Sequence, residues 1–212
     1  MIQQNSSFQS KKQAEAIVGS LGKPSKMPGL SYGIPASSCK VGQRLASMEG
    51  SVCSNCYALK GFYVMPTVKA AQQKRLNSLT HPLWTDAITY LIGKSKCDHF
   101  RWHDSGDLQS LEHLKNIVQV AKNLPKVKFW LPTREAKLVT TYLKEFQEFP
   151  DNLIVRVSGA MVDGTAPVRF IHTSTVVSTS NATCPAPRQG NKCGSCRACW
   201  DKSVATVSYK EH

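Results

Sequence analysis

From His99 onward the sequence alternates short apolar runs with stretches of helical spacing, and no other feature restricts the fold so tightly. His99–His103 (HFRWH), Val127–Leu131 (VKFWL) and Leu153–Val157 (LIVRV) read as strands, and Val168–His172 (VRFIH) as a fourth. Between them Leu111, Leu114, Ile117, Val118 and Ala121 recur at helical spacing and stop before Pro125. Glu135–Phe146 places Leu138, Tyr142, Leu143 and Phe146 on one side of a second helix. Parallel strands need a crossover of about this length, whereas antiparallel neighbours can be joined by a tight turn. The repetition therefore predicts βα units and a parallel sheet: an α/β fold in the form of a partial or complete TIM-like (β/α) barrel.

Upstream, residues 1–28 read as a loosely ordered arm with a short helix around Lys12–Gly19. Thr67–Leu79 is a helix candidate, and another follows Pro82 with Trp84, Ile88, Leu91 and Ile92 on its apolar side. Beyond Thr173 the composition turns to Ser, Thr, Asn, Gly, Pro and Cys, which rarely build a core unaided. The expected organisation is an arm (1–28), a barrel domain carrying a cysteine loop (29–175) and a Cys-rich segment (176–212) stapled by metal ligation.

The cysteines fall into two groups. Cys39 precedes a Cys53-Ser-Asn-Cys56 pair by thirteen intervening residues. Three thiolates converging there would leave a tetrahedral metal, or one iron of a cubane cluster, with an open position. Cys184, Cys193, Cys196 and Cys199 follow as C-x8-C-x2-C-x2-C. Three thiolates in seven residues is a ferredoxin-like spacing, so one or two [4Fe–4S] clusters are expected, with zinc as the alternative. Cys97 stands alone and reads as a buried thiol or a fourth ligand to the first group.

Three polar clusters follow the expected strands: His103–Asp107 (HDSGD), Pro132–Glu135 (PTRE) and Ser158-Gly159. Loops at the carboxyl ends of parallel strands share one face, and that face carries the chemistry. His103, Asp104, Asp107 and Arg134 are the candidate catalytic residues. Tyr57, Ser105, Gly106 and Ser158 are the candidates for contacting a cofactor. Structural roles compete with each of these: Ser and Asp turn the chain and cap helices, and Arg134 with Glu135 suits a first-turn ion pair.

Lys and Arg number 27 against 14 Asp and Glu, a net charge of +13, which suggests nucleic acid or another anionic partner. The first residues, MIQQNSSFQSKKQ, are polar, and no apolar run approaches the ~20 residues of a membrane span. A cytoplasmic protein with no membrane association is expected. In that compartment eight cysteines read as metal ligands before disulfides.

At Cys53-Ser-Asn-Cys56-Tyr57-Ala58 the sequence resembles the phage gene product 88 family and relatives of the radical S-adenosylmethionine enzymes. The resemblance continues through Asp104-Ser105-Gly106-Asp107 and Thr133-Arg134-Glu135 and covers roughly residues 30 to 160. It implies a barrel with a [4Fe–4S] cluster at its mouth, S-adenosylmethionine at the open iron, and a polar cluster near that cofactor's amino group. The ligand spacing departs from the compact C-x3-C-x2-C of the radical enzymes. The order Asp104-Ser105-Gly106, Leu131-Pro132-Thr133-Arg134 and then cysteines also resembles tRNA-guanine transglycosylases. The aspartate nucleophile expected before Pro132 is missing there, with Val127-Lys128-Phe129-Trp130 in its place. The expected function is a phage-type iron–sulfur protein in the host cytoplasm, an enzyme or a redox protein. The alternative is a nucleic-acid-binding or base-modifying protein with structural metal.

Overall fold

A computed structural model describes residues 8–211. Six strands form one sheet in chain order: β1 (Leu30–Tyr32), β2 (His99–Trp102), β3 (Lys128–Thr133), β4 (Leu153–Val162), β5 (Thr173–Val177) and β6 (Thr206–Lys210). Every neighbouring pair is parallel. A chain that lays each new strand beside the last winds in one direction, unlike a doubly wound sheet, whose order reverses at a switch point. The sheet is open, with no β1–β6 pairing among the described residues.

The helices are α1 (Lys11–Val18), α2 (Lys40–Ala46), α3 (Pro66–Ser78), α4 (Trp84–Ser95), α5 (Leu111–Asn123) and α6 (Ala136–Phe146). Side chains alternate across a strand, and here the two faces have different fates. Phe100, Trp102, Phe129, Leu131, Leu153, Val155 and Val157 pack with Ile88, Leu91, Ile92, Leu114, Ile117 and Val139 in the main core. Apolar spacing on α4 and α5 supplies the other half of that layer.

The opposite sheet face carries His99, Arg101, Trp130, Arg156, Ser158, Ser174 and Tyr209. The Cys-rich segment covers part of it. Trp200 lies against Trp130 and His99, both at 5.3 Å between ring centroids, and donates Nε1–H to the Phe100 carbonyl. Arg156, fully buried, donates to the carbonyls of Ala198, Cys199, Asp201, Val204 and Ala205 and, at 3.4 Å, Thr173. The segment that composition reads as coreless thus has a buried tryptophan and a strand of its own, both docked on the sheet.

Other departures are local. The fourth expected strand, 168–172, consists of turns and bends, and the strand begins at Thr173, where β4 and β6 offer partners. Leu30–Tyr32, inside the cysteine-bearing stretch, is an edge strand that three residues are too few to announce. No helix of the described residues is long and apolar enough to cross a membrane.

Candidate functional site

Strand-end loops gather as the parallel sheet requires. After β2 the chain turns sharply at His103, whose φ of 54° is left-handed, a conformation that few residues other than Gly adopt readily. The HDSGD loop then packs on the end of β1: Ile34 N–H donates to the Ser105 carbonyl at 3.0 Å. Gly106, at φ 80°, lies so close to Ile34 that any Cβ would collide with it. Its glycine serves the backbone, and no contact with a cofactor is needed to explain it. Ser105 is buried, and its hydroxyl has no partner.

Asp107 is buried and accepts three hydrogen bonds: from the Thr133 hydroxyl at 2.5 Å, the Leu108 N–H at 2.7 Å and the Arg134 N–H at 2.8 Å. Burial pushes its carboxyl up to about 6, the three donors opposing and Glu135 adding to the rise. The carboxylate ties the end of β2 to the end of β3. Glu135 is buried as well and accepts the N–H of Val41, in the first turn of α2, at 2.9 Å. The first-turn ion pair with Arg134 does not form.

That bond matters because α2 starts directly after Cys39. A Cβ placed on Gly42 of α2 would lie 3.7 Å from the sulfurs of both Cys39 and Cys53. The two sulfurs are therefore within 7.4 Å (twice 3.7 Å) of each other. The stretch before Cys53 is held to the outer half of β4: Val52 N–H donates to Ala160 and Val162 N–H to Gly50, each at 2.9 Å. Burial pushes the Cys39 thiol up to about 12, with Asp107, Cys56 and Cys53 adding to the rise and Arg134 opposing. The Cys53 thiol is raised by burial, with Arg134 opposing and Cys56 and Asp107 adding. Cys39, Cys53, Cys56, Asp107 and Arg134 therefore make one electrostatic neighbourhood.

The second group is organised in the same way. Cys184 N–H donates to Ser208 on β6, Cys193 N–H to Lys26 and Cys196 N–H to Cys193. The Cys199 sulfur lies 3.2 Å from the Tyr209 hydroxyl. Burial raises the Cys193 thiol, with Cys184 and Cys196 contributing, and pushes that of Cys199 up to about 11.

Arg101 lies between the groups. It donates to the Tyr57 hydroxyl at 3.2 Å, and Tyr57 donates to the Asp104 carbonyl at 2.7 Å. Its guanidinium stacks on Trp130 at 4.6 Å, and Trp130 stacks on Tyr209 at 6.4 Å. Tyr63 also reaches Asp104, at 3.3 Å to Oδ2. Arg101, Arg134 and Arg156 form no ion pair with a carboxylate among the described residues.

His103 and His113 face each other at 5.3 Å, both buried. Neither ring nitrogen of His103 has a hydrogen-bond partner, and burial holds its pKa well below the usual value, with His113 and Arg101 contributing. Ser158 is hydrogen-bonded to Ser174 at 2.9 Å. Cys97 precedes β2 and packs on the core, so it sits at the amino end of the sheet, away from the other cysteines of the first group.

Sequence reading alone missed Arg101, Tyr63, Arg156 and Tyr209, and gave Glu135 only a local ion pair. Arg101 and Arg156 carried a usable signal, since each is a charge on the inward period of an otherwise apolar strand. Among the described residues, no three or more His, Cys, Asp or Glu side chains are placed to hold a metal ion. The donor chemistry, all thiol, nonetheless suits iron–sulfur clusters and zinc alike.

A model of the family described as Gene product 88 matches residues 3–202. No curated protein and no solved structure matches the chain.

Proposed function

The chain belongs to the gene product 88 family, and from that premise we propose that it is an iron–sulfur protein on a partial (β/α) barrel. Cys39, Cys53 and Cys56 would hold one cluster, and Cys184, Cys193, Cys196 and Cys199 a second. The observation that carries the reading is the buried arginines. Arg156 is fully buried, Arg101 is half-buried with its Nε enclosed and unpartnered, and no carboxylate pairs with either among the described residues. Asp104 lies near Arg101 and Asp201 near Arg156 without closing an ion pair, and a buried cation so incompletely neutralised is destabilising. The Cys193 and Cys199 thiols are near neighbours of Arg101, and Cys199 of Arg156. Thiolates bound to metal would add negative charge beside both arginines; protonated thiols would not.

The spacing of the cysteines along the chain, three of them in the seven residues from Cys193 to Cys199, favours a cluster over a single ion. Zinc about 2.3 Å from each thiolate draws the sulfurs to within about 4 Å of one another. A cubane spreads its ligands over several irons and tolerates wider separation.

When bound, such clusters supply one-electron chemistry. The chain's own residues would bind and orient. Asp107 is fully engaged in holding the strand ends together, so it positions rather than reacts. Cys97 lies at the other end of the sheet. The open position of the first cluster is therefore left to an exogenous ligand, with S-adenosylmethionine as the candidate, or to a residue such as Asp104, whose Oδ1 is buried without a partner.

Anaerobic purification should give a brown protein with iron and acid-labile sulfide in equal amounts and a paramagnetic signal on reduction. A colourless protein carrying only zinc would overturn the reading. A second reading, a nucleic-acid-binding protein with structural metal, is favoured by the net charge of +13.

A further inference from the structure

The outer surface of α6 carries charge that nothing in the described molecule balances. Lys137, Thr140, Thr141 and Lys144 recur at helical spacing along an exposed face. Across from them the loop between β4 and β5 brings up Arg169 and Phe170. Together these residues and Ala136 line a cleft of about 380 Å³. No acidic residue lines it, and none of its three cations forms an ion pair among the described residues.

The helix itself adds to the imbalance. The first turn of a helix bears the positive end of its dipole and normally attracts Asp or Glu. The first turn of α6 has no acid and has Lys137 instead. Glu135, the residue at the N-cap, is turned away to the Val41 N–H. Lys137 at the start of the helix, Lys144 in its last turn and Arg169 thus line the length of one cleft with positive charge, an arrangement that suits an anionic chain from outside.

Its other features narrow the anion. The Thr140 hydroxyl beside the cations is a donor of the sort that binds phosphate oxygens, whereas that of Thr141 donates to the Lys137 carbonyl at 2.9 Å. Phe170 gives the wall a half-exposed aromatic ring, and Val168 and Ile171 beside it are 91% and 82% exposed. A base splayed from its neighbours can rest on such a surface, whereas a duplex keeps its bases stacked within.

We propose that this cleft binds single-stranded nucleic acid, with Lys137, Lys144, Arg169 and Thr140 on the phosphates and Phe170 under a base. The cleft runs along α6 from Ala136, soon after β3, to Lys144, with Arg169 and Phe170 shortly before β5. Binding itself requires no cluster, so this proposal stands or falls apart from the iron–sulfur reading.

The test is fluorescence anisotropy of a labelled oligo(dT) and of a labelled duplex over a range of salt, using the full chain. The wild type should prefer the single strand, with log K falling as log salt rises. Combining Lys137→Ala, Lys144→Ala and Arg169→Ala should weaken binding at least tenfold at low salt. It should also reduce the salt slope by about 2, since each phosphate neutralised on a single strand contributes about 0.7 to it. All three sites are exposed, and an unchanged thermal melt verifies the fold. Phe170→Leu, which keeps the apolar bulk, should weaken the single strand more than the duplex. Three results would overturn the proposal: no binding by the wild type at low salt, an unchanged slope in the triple variant, or equally tight binding of polyglutamate.

Discussion

Glu135 accepts the backbone N–H of Val41 at 2.9 Å, and through that bond the end of β3 sets the start of the helix that follows Cys39. The bond spans 94 residues of chain and joins two segments far apart in the sequence. Glu135→Ala should destabilise the protein by about 1–3 kcal/mol, the usual cost of leaving a buried backbone donor unsatisfied. Glu135→Gln, whose amide oxygen can still accept, should lose less. Urea melts of the two variants check the difference, and equal losses would mean that charge rather than the hydrogen bond is what matters.

Arg156 gathers six carbonyls, five of them from the segment spanning residues 198–205. A lysine has three donors on one nitrogen and cannot reach them all. Arg156→Lys should cost roughly 3–5 kcal/mol, as opening a buried charged network does. Amide exchange should speed up first in residues 198–205. Uniform acceleration across the sheet would argue against the clamp.

Acid titration pits Asp107 against the buried histidines. The Asp107 carboxyl is pushed up from 3.8 to about 6 by burial. The folded protein holds the extra proton, so this stabilisation is fully present below about pH 4 and is lost as pH rises to about 6. His113 is pushed down from 6.5 to about 3 by burial, and His103 moves in the same direction. Their neutral forms favour folding above about pH 6.5, and that contribution is lost as pH falls. Each group changes stability by at most about 1.4 kcal/mol per pH unit. Asp107→Asn should make stability rise more steeply with pH between about 4 and 6, and His113→Gln should make it rise less steeply. Denaturant melts across that range read both slopes.

Cluster loading gives a prediction by stoichiometry. Cys53→Ala and Cys193→Ala should each lower iron and sulfide per chain by about half if each removes one of two [4Fe–4S] clusters. The double variant should bind neither. Full loading of both single variants would show that these cysteines are not ligands.

The alternation of strand and helix from His99 to Val157 was legible because burial of one face imposes a period on the residues themselves. The cysteine groups were legible because ligand spacing within a loop is local. Val168–His172 misled because an apolar run reads as a strand wherever it falls, while the strand formed where β4 and β6 offered hydrogen-bond partners, at Thr173. The HDSGD cluster was legible as a place and less so as a set of roles. Asp107 and Gly106 proved to hold the strand ends together, and Glu135, read as half of a local ion pair, reaches across to α2.

The sequence by itself determined the parallel α/β class, the two thiol groups and the basic balance, since each follows from composition or from short-range periodicity. Only the tertiary structure decided that both thiol groups share neighbours along the inward sheet face, through Tyr57, Arg101, Trp130 and Tyr209. It alone decided that two arginines there close no ion pair with an acid, and that Arg169 and Phe170 come up beside α6. Those are relations between residues far apart in the chain, set by which strands pair and which face each side chain takes, and no local pattern records them.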